Sequence, residues 1–360
     1  GDMCLATLFA REVPQRDFQS YDPGRYYWGA AWFRLSGSSG VVMLRTAAFA
    51  FACLAIFLTL RLLARVLVGP GLLALAALAF GLWLWAPYKS YEFGFSLLAV
   101  VAAAGLAEST SVGRHVAAGA FLGVAAWFGR NHALYAAAAF TLVVLATHTP
   151  GQPERLVRRG GALLAGALMG SLPLLLQCLL APGFLNSALG MLGSHVNARV
   201  VNLPRAIPWP WELPWTYYQS MPALRVAREL GLRLHFVLMP PVAIALFWLA
   251  VRRRELRHRG ALLAASSVGV VYLHYAFSRP DLGHLASSTP PLLVALMVLP
   301  LCSDRLRRSL RPLPWMAGLV VIAAVTAGTE HAGLKKAMGP RREWVRREVA
   351  GDKLWIERGV

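Results

Sequence analysis

Long apolar runs alternate with short polar segments along most of this chain, and the polar segments hold nearly all of its charge. A helix needs about 20 apolar residues to cross a bilayer core of roughly 30 Å. Ten runs approach or reach that length: Val42–Arg61, Pro70–Pro87, Phe93–Ala107, His115–Gly129, His132–Thr147, Gly161–Ala181, His235–Val251, Ala261–Phe277, Leu285–Cys302 and Leu313–Thr329. The third, fourth and fifth are short, which a locally thinned bilayer accommodates. The pattern predicts an all-α polytopic membrane protein with about ten transmembrane helices in residues 41–330. A polar first loop over 1–40 precedes them, and a tail over 331–360 follows. The longest internal polar segment, 182–234, is rich in Pro, Trp and Tyr (PRAIPWPWELPWTYYQ, Pro204–Gln219), a composition suited to the membrane interface. The polar start of the chain leads us to expect a further membrane helix before it. The apolar residues of the tail, among them Trp344, Val345, Trp355 and Ile356, suit the start of a small external domain.

Composition agrees: 57% of the 360 residues are hydrophobic and 15% charged, against about 25% charged in soluble domains. The net charge of +19 would suit a nucleic-acid partner if it covered a soluble face. Here it sits in short loops between apolar runs, so nucleic acid is excluded as a partner and membrane lipid is expected. Cys4, Cys53, Cys178 and Cys302 have no metal-ligand or disulfide spacing.

Alternate loops carry two, one, three, five and four arginines: Arg61/Arg65, Arg114, Arg155/Arg158/Arg159, Arg252/Arg253/Arg254/Arg257/Arg259 and Arg305/Arg307/Arg308/Arg311. The positive-inside rule places these on the cytoplasmic face. Alternation then puts 1–40, 88–92, 130–131, 182–234, 278–284 and the tail on the opposite face. The opposite face holds the candidate chemistry. Its first loop carries Asp2, Arg11, Arg16, Asp17, Asp22 and Arg25, and the second carries Lys89 and Glu92 in PYKSYEFG. Arg130-Asn131-His132 forms the third, and HYAFSRPDLGHL the fourth, with His274, Arg279, Asp281 and His284.

Arginines grip phosphate oxygens through charge-assisted forks, and a carboxylate takes the proton of an attacking hydroxyl or amine. That combination at a membrane face suits sugar transfer from a lipid-phosphate donor. Blander readings exist for several residues. Arg11, Arg16 and Arg25 read equally well as solvated loop charges, and Lys89 and Glu92 as interfacial anchors. Arg279 and Asp281 also fit a local ion pair at a proline turn, and His284 a structural histidine. Arg130 and His132 lie between two apolar runs, where ionisable groups are costly and usually functional.

The opening stretch GDMCLATLFAREVPQRDFQSYDPGRYYWGAAWFRLSG resembles the first external loop of the GT-C membrane glycosyltransferases. Its relatives there are the protein O-mannosyltransferase and lipid A aminoarabinose transferase groups (the family 39 and 83 type). The shared features are an acid at the loop start, a PxRDF-like phrase (Pro14–Phe18) and a Tyr/acid/Pro phrase (Tyr21-Asp22-Pro23) leading into an aromatic helix. SRPDLGHLA is similar to bacterial members of the class. The resemblance implies a GT-C-like bundle in a bacterial inner membrane and inverting transfer from a polyprenyl-phosphate sugar. It implies Asp2 as general base and Asp22 as a second acidic site residue. Arg16, Arg25, Lys89, Arg130, His132, Arg279, Asp281 and His284 would hold donor phosphate or acceptor. Some relatives use a divalent metal; Asp2 and Asp22 alone are too few ligands for one. The rival functions are a transporter or lipid flippase, which calls for charges at mid-span, and a non-catalytic assembly subunit.

Overall fold

The computed structural model of the chain describes residues 7, 11–18, 20, 22–84, 89–198, 205–219, 221–328, 331, 344–349 and 352–357. Helices occupy all ten expected stretches, but not as ten simple spans. Five are long and apolar enough to cross a membrane: α2 (Val41–Leu63), α4 (Ser90–Glu108), α11 (Ala223–Arg252), α12 (Arg259–Ser278) and α13 (Leu282–Val298, continued by a 3₁₀ turn to Leu301). Two more result if each bent pair counts as one span: α7 (Pro153–Gly170) with α8 (Leu172–Leu180), and α14 (Asp304–Leu310) with α15 (Pro312–Thr326). The chain is therefore an α-helical membrane protein with five to seven such helices among the described residues, and the expected ten is not reached.

The departures have local causes. The expected straight span Gly161–Ala181 bends by 49° at Ser171, where Pro173 stands in the first turn of α8. Proline has no N–H to continue the ladder and disfavours helical backbone before it. The last span bends by 56° at Arg311, which has φ 43° and is followed by Pro312. Helix α11 begins at Ala223, well before the expected His235. Its extra turns, ALRVARELGLRL, are rich in good helix formers whose charges disguise them as loop. Helix α3 (Pro70–Trp83), α5 (Val112–Phe128) and α6 (Arg130–Ala146) are shorter than a full span.

The two expected long loops contain structure as well. In the first, α1 (Gly24–Ser36) ends at Gly37, whose φ of 67° suits a left-handed helix stop. Trp28 ties α1 to α2 by donating its indole N–H to Ala47 O (2.8 Å). Within 182–234 lie α9 (Phe184–Ala198), a 3₁₀ turn at Pro210–Glu212 and α10 (Trp215–Gln219). Trp209 and Trp211 stack there, and Trp211 and Trp215 are exposed. In the tail, β1 (Trp344–Val349) and β2 (Asp352–Glu357) pair antiparallel. Asp352 Oδ2 accepts from Val42 N (2.7 Å) and so caps the start of α2.

Burial orders the bundle. The apolar stretches of α4, α12 and α13 are 72%, 67% and 83% buried, against 28% for both α2 and α11. The first three therefore form the centre and the last two the rim, where Phe49, Phe57, Ile244 and Trp248 remain exposed. Helices α5 and α7 approach through glycines: a Cβ on Gly119 or Gly123 would strike α7 or Ser171 backbone, and one on Gly166 or Gly170 would strike α5 backbone. Small residues at four-residue spacing let membrane helices pack this closely. We expect Gly166→Leu to separate α5 from α7 and to abolish stable insertion, read as loss of monodisperse protein in detergent. An unchanged elution profile would count against this contact.

Candidate functional site

Four of the segments that alternation assigns to one face, 1–40, 88–92, 130–131 and 278–284, meet at one end of the bundle. Helix α1 carries Arg25 inward, where its guanidinium donates to Glu92 Oε1 (2.8 Å) and to Phe128 O at the end of α5 (2.8 Å). A cation at a helix C-terminus also meets the negative end of the helix dipole. Both partners are largely buried, with side chains 17% and 8% exposed. This explains why α4 starts at Ser90 and not Phe93: Glu92 enters the helix because Arg25 meets its charge. Glu92 Oε2 is buried and has no hydrogen-bond partner among the described residues.

Lys89, at the N-cap of α4, donates to Tyr275 Oη (2.8 Å), and its Nζ lies 3.4 Å from His284 Nε2. Burial pushes the Lys89 ammonium below its usual range, while Glu92 and Asp281 work to raise it and Arg25 and Arg279 to lower it. His284 continues the chain of contacts: its Nδ1 is 2.8 Å from Asp281 Oδ1, which also accepts from the His284 backbone N–H (2.9 Å). Asp281 is thus the N-cap of α13 and the orienting group of an imidazole at once. Its Oδ2 pairs with Arg279 (3.0 Å). Burial works to raise the Asp281 carboxyl, but the His284 hydrogen bonds and the Arg279 charge outweigh it and hold it at about 2.

A second layer lies beside these groups. His132, 2% exposed, stacks on Phe95 (centroids 5.5 Å) and meets Tyr272 Oη (3.1 Å) through Nδ1. Tyr135 Oη meets His274 Nδ1 at 2.9 Å. Arg130 pairs with Asp22: its side chain lies 2.6 Å from Oδ1, and its backbone N–H donates to Oδ2 (3.0 Å). Both oxygens of Asp22 are thereby occupied by one residue.

The structure thus gathers eight of the expected residues: Asp22, Arg25, Lys89, Arg130, His132, Arg279, Asp281 and His284. Arg25 is no solvated loop charge, and Arg279–Asp281 is a local pair that also orients His284. Arg16 stands apart, paired with Asp17 (2.7 Å) and reaching Pro182 O (3.5 Å). That guanidinium and the Val13 N–H hold the Asp17 carboxyl at about 2. Asp2 lies outside the described residues. Among the described residues no three His, Cys, Asp or Glu side chains converge as metal ligands.

The sequence pattern did not single out Tyr275 and Tyr272, and it put Glu92 on this face without a site role. The signal for the tyrosines was two hydroxyls three residues apart at the end of an apolar run, which places both on one helix face. Glu92 could be told from an interfacial anchor only by knowing that Arg25 faces it. No protein-family model, curated protein or solved structure matches the chain.

Proposed function

We propose that the chain is a GT-C type glycosyltransferase of the bacterial inner membrane. It would transfer a sugar from a polyprenyl-phosphate donor to a lipid, glycan or protein acceptor on the non-cytoplasmic face. One observation carries this reading: Arg25, Lys89, Arg130 and Arg279 lie with Glu92, Asp22, Asp281 and two histidines at one end of the central helices. Ionisable groups buried in a helical membrane protein are costly to keep and usually functional.

In an inverting displacement the acceptor oxygen forms its bond to the anomeric carbon as a carboxylate takes its proton. The bond from that carbon to the phosphate oxygen breaks, and its electron pair leaves with the polyprenyl phosphate. Negative charge grows on the phosphate during this step, and groups aimed at it stabilise the transition state more than the ground state. Lys89 and Arg279 supply donors there, with Asp281 fixing the His284 ring and Tyr275 and His284 steadying Lys89. Arg25 and Arg130 are held by Glu92 and Asp22, which suits positioning of α1 and α6 around the donor. The reading is tested by release of polyprenyl phosphate from a polyprenyl-phosphate sugar by the full-length protein in vesicles. Lys89→Gln should lower kcat/KM by about 10- to 100-fold, the worth of one charged hydrogen bond. Failure of the unaltered protein to release polyprenyl phosphate would remove the proposal.

The face is tested separately. A cysteine placed beside Asp281 should react with an impermeant reagent added outside cells, and one beside Arg254 should not. The reverse pattern would invert the orientation.

A further inference from the structure

At the opposite end of the bundle, a groove of about 530 Å³ runs between α2, α4 and α5. One part is apolar, lined by Leu58, Leu98 and Phe121. The other is cationic, with Arg61, Arg65 and Arg114, all three exposed. Arg61 lies in the last turn of α2 and Arg65 in the turn that follows it. Glu108 lies between the loops, 3.6 Å from Arg65 and 3.4 Å from Arg114. Three guanidinium charges thus face a single carboxylate, and Arg61 makes no ion pair among the described residues. None of these residues belongs to the cluster described above.

We propose that this groove binds an anionic phospholipid. Its phosphate lies among Arg61, Arg65 and Arg114, and an acyl chain lies along Leu58, Leu98 and Phe121. The chemistry is two-part, and the ligand must match both parts. A free phosphate would leave the apolar wall uncovered, and a neutral phospholipid would leave the excess positive charge unanswered. Basic pockets between membrane helices are suited to anionic headgroups, with each arginine contributing about a fivefold gain in binding. The arginine forks can hold two phosphate oxygens at once.

The test uses the full-length protein extracted from vesicles of phosphatidylcholine with a minority of phosphatidylglycerol, followed by native mass spectrometry. We expect retained phosphatidylglycerol in preference to phosphatidylcholine. Arg61→Gln should weaken that retention about fivefold. Leu98→Trp, which fills the chain half of the groove and leaves every arginine in place, should expel the lipid. Arg254→Gln, on a different loop, should retain it and serves as the folding control. Equal retention of both lipids would overturn the proposal. So would retention unaffected by Leu98→Trp but abolished by added inorganic phosphate, which would make the site one for a bare anion.

Discussion

Arg25→Ala is expected to lower the stability of the folded chain by about 3–5 kcal/mol, the cost of leaving one member of a buried ion pair without its partner. Arg25 and Glu92 are 2.8 Å apart and mostly withdrawn from solvent. Truncating Arg25 leaves the buried Glu92 carboxylate without its hydrogen-bonded partner and removes the donor to Phe128 O. It also removes the polar link between α1 and the α4–α5 end of the bundle, leaving aromatic packing to hold them together. Arg25→Ala with Glu92→Ala together should recover part of the loss, because neither charge is then stranded. Unfolding in detergent, followed for both single variants and the pair, measures the coupling. A loss under about 1 kcal/mol for Arg25→Ala, the size seen for exposed pairs, would show that the link contributes little to stability.

The same pair shows what sequence could and could not disclose. Helix positions follow from apolar run length, because a membrane helix must satisfy its own backbone and bury its polar groups in hydrogen bonds within one segment. Where α2, α12 and α13 lie was therefore legible to within four residues. Helix ends were less so. Glu92 and the charged turns at the start of α11 look like loop until a partner for the charge is known, and that partner is distant in sequence. The bends at Ser171 and Arg311 had local signals in Pro173 and Pro312, and those were masked by unbroken hydrophobicity. The capping of α2 by Asp352 had no local signal at all.

For the site, the alternation of arginine-rich loops already grouped 88–92, 130–131 and 278–284 together. The structure adds which side chains touch. Tyr275 bridges Lys89 to the region of His284, and no spacing rule within either loop reveals a contact between α4 and α12. Arg16 was grouped with the rest because it shares a loop with Arg25. The left-handed backbone at Gln15 (φ 72°) helps turn that loop on itself, and Arg16 pairs with its neighbour Asp17.

Asp2→Asn in the full-length protein should lower sugar transfer by about 10²- to 10⁴-fold, the range expected for loss of a positioned general base, with no change in membrane abundance. Among the described residues, Asp22, Asp281 and Glu92 are the carboxylates of the cluster that could act in its place. A base needs an oxygen lone pair facing the acceptor. Asp22 gives both oxygens to Arg130. Asp281 gives Oδ1 to His284 and Oδ2 to Arg279. Glu92 differs from both in having a buried oxygen, Oε2, with no hydrogen-bond partner among the described residues, and its side chain is 8% exposed. The choice therefore lies between Asp2, favoured by the resemblance of the first loop, and Glu92, favoured by its unengaged Oε2. Asp2→Asn and Glu92→Gln separate them, since each keeps the side-chain shape and removes the negative charge. Loss in the first with a smaller effect in the second assigns the base to Asp2. Undiminished transfer in Asp2→Asn, together with loss in a stably inserted Glu92→Gln protein, would move the role to Glu92. Asp22→Asn should give the mildest loss of the three, because an amide oxygen still accepts from the Arg130 backbone and the effect reaches the donor only through the placement of α6.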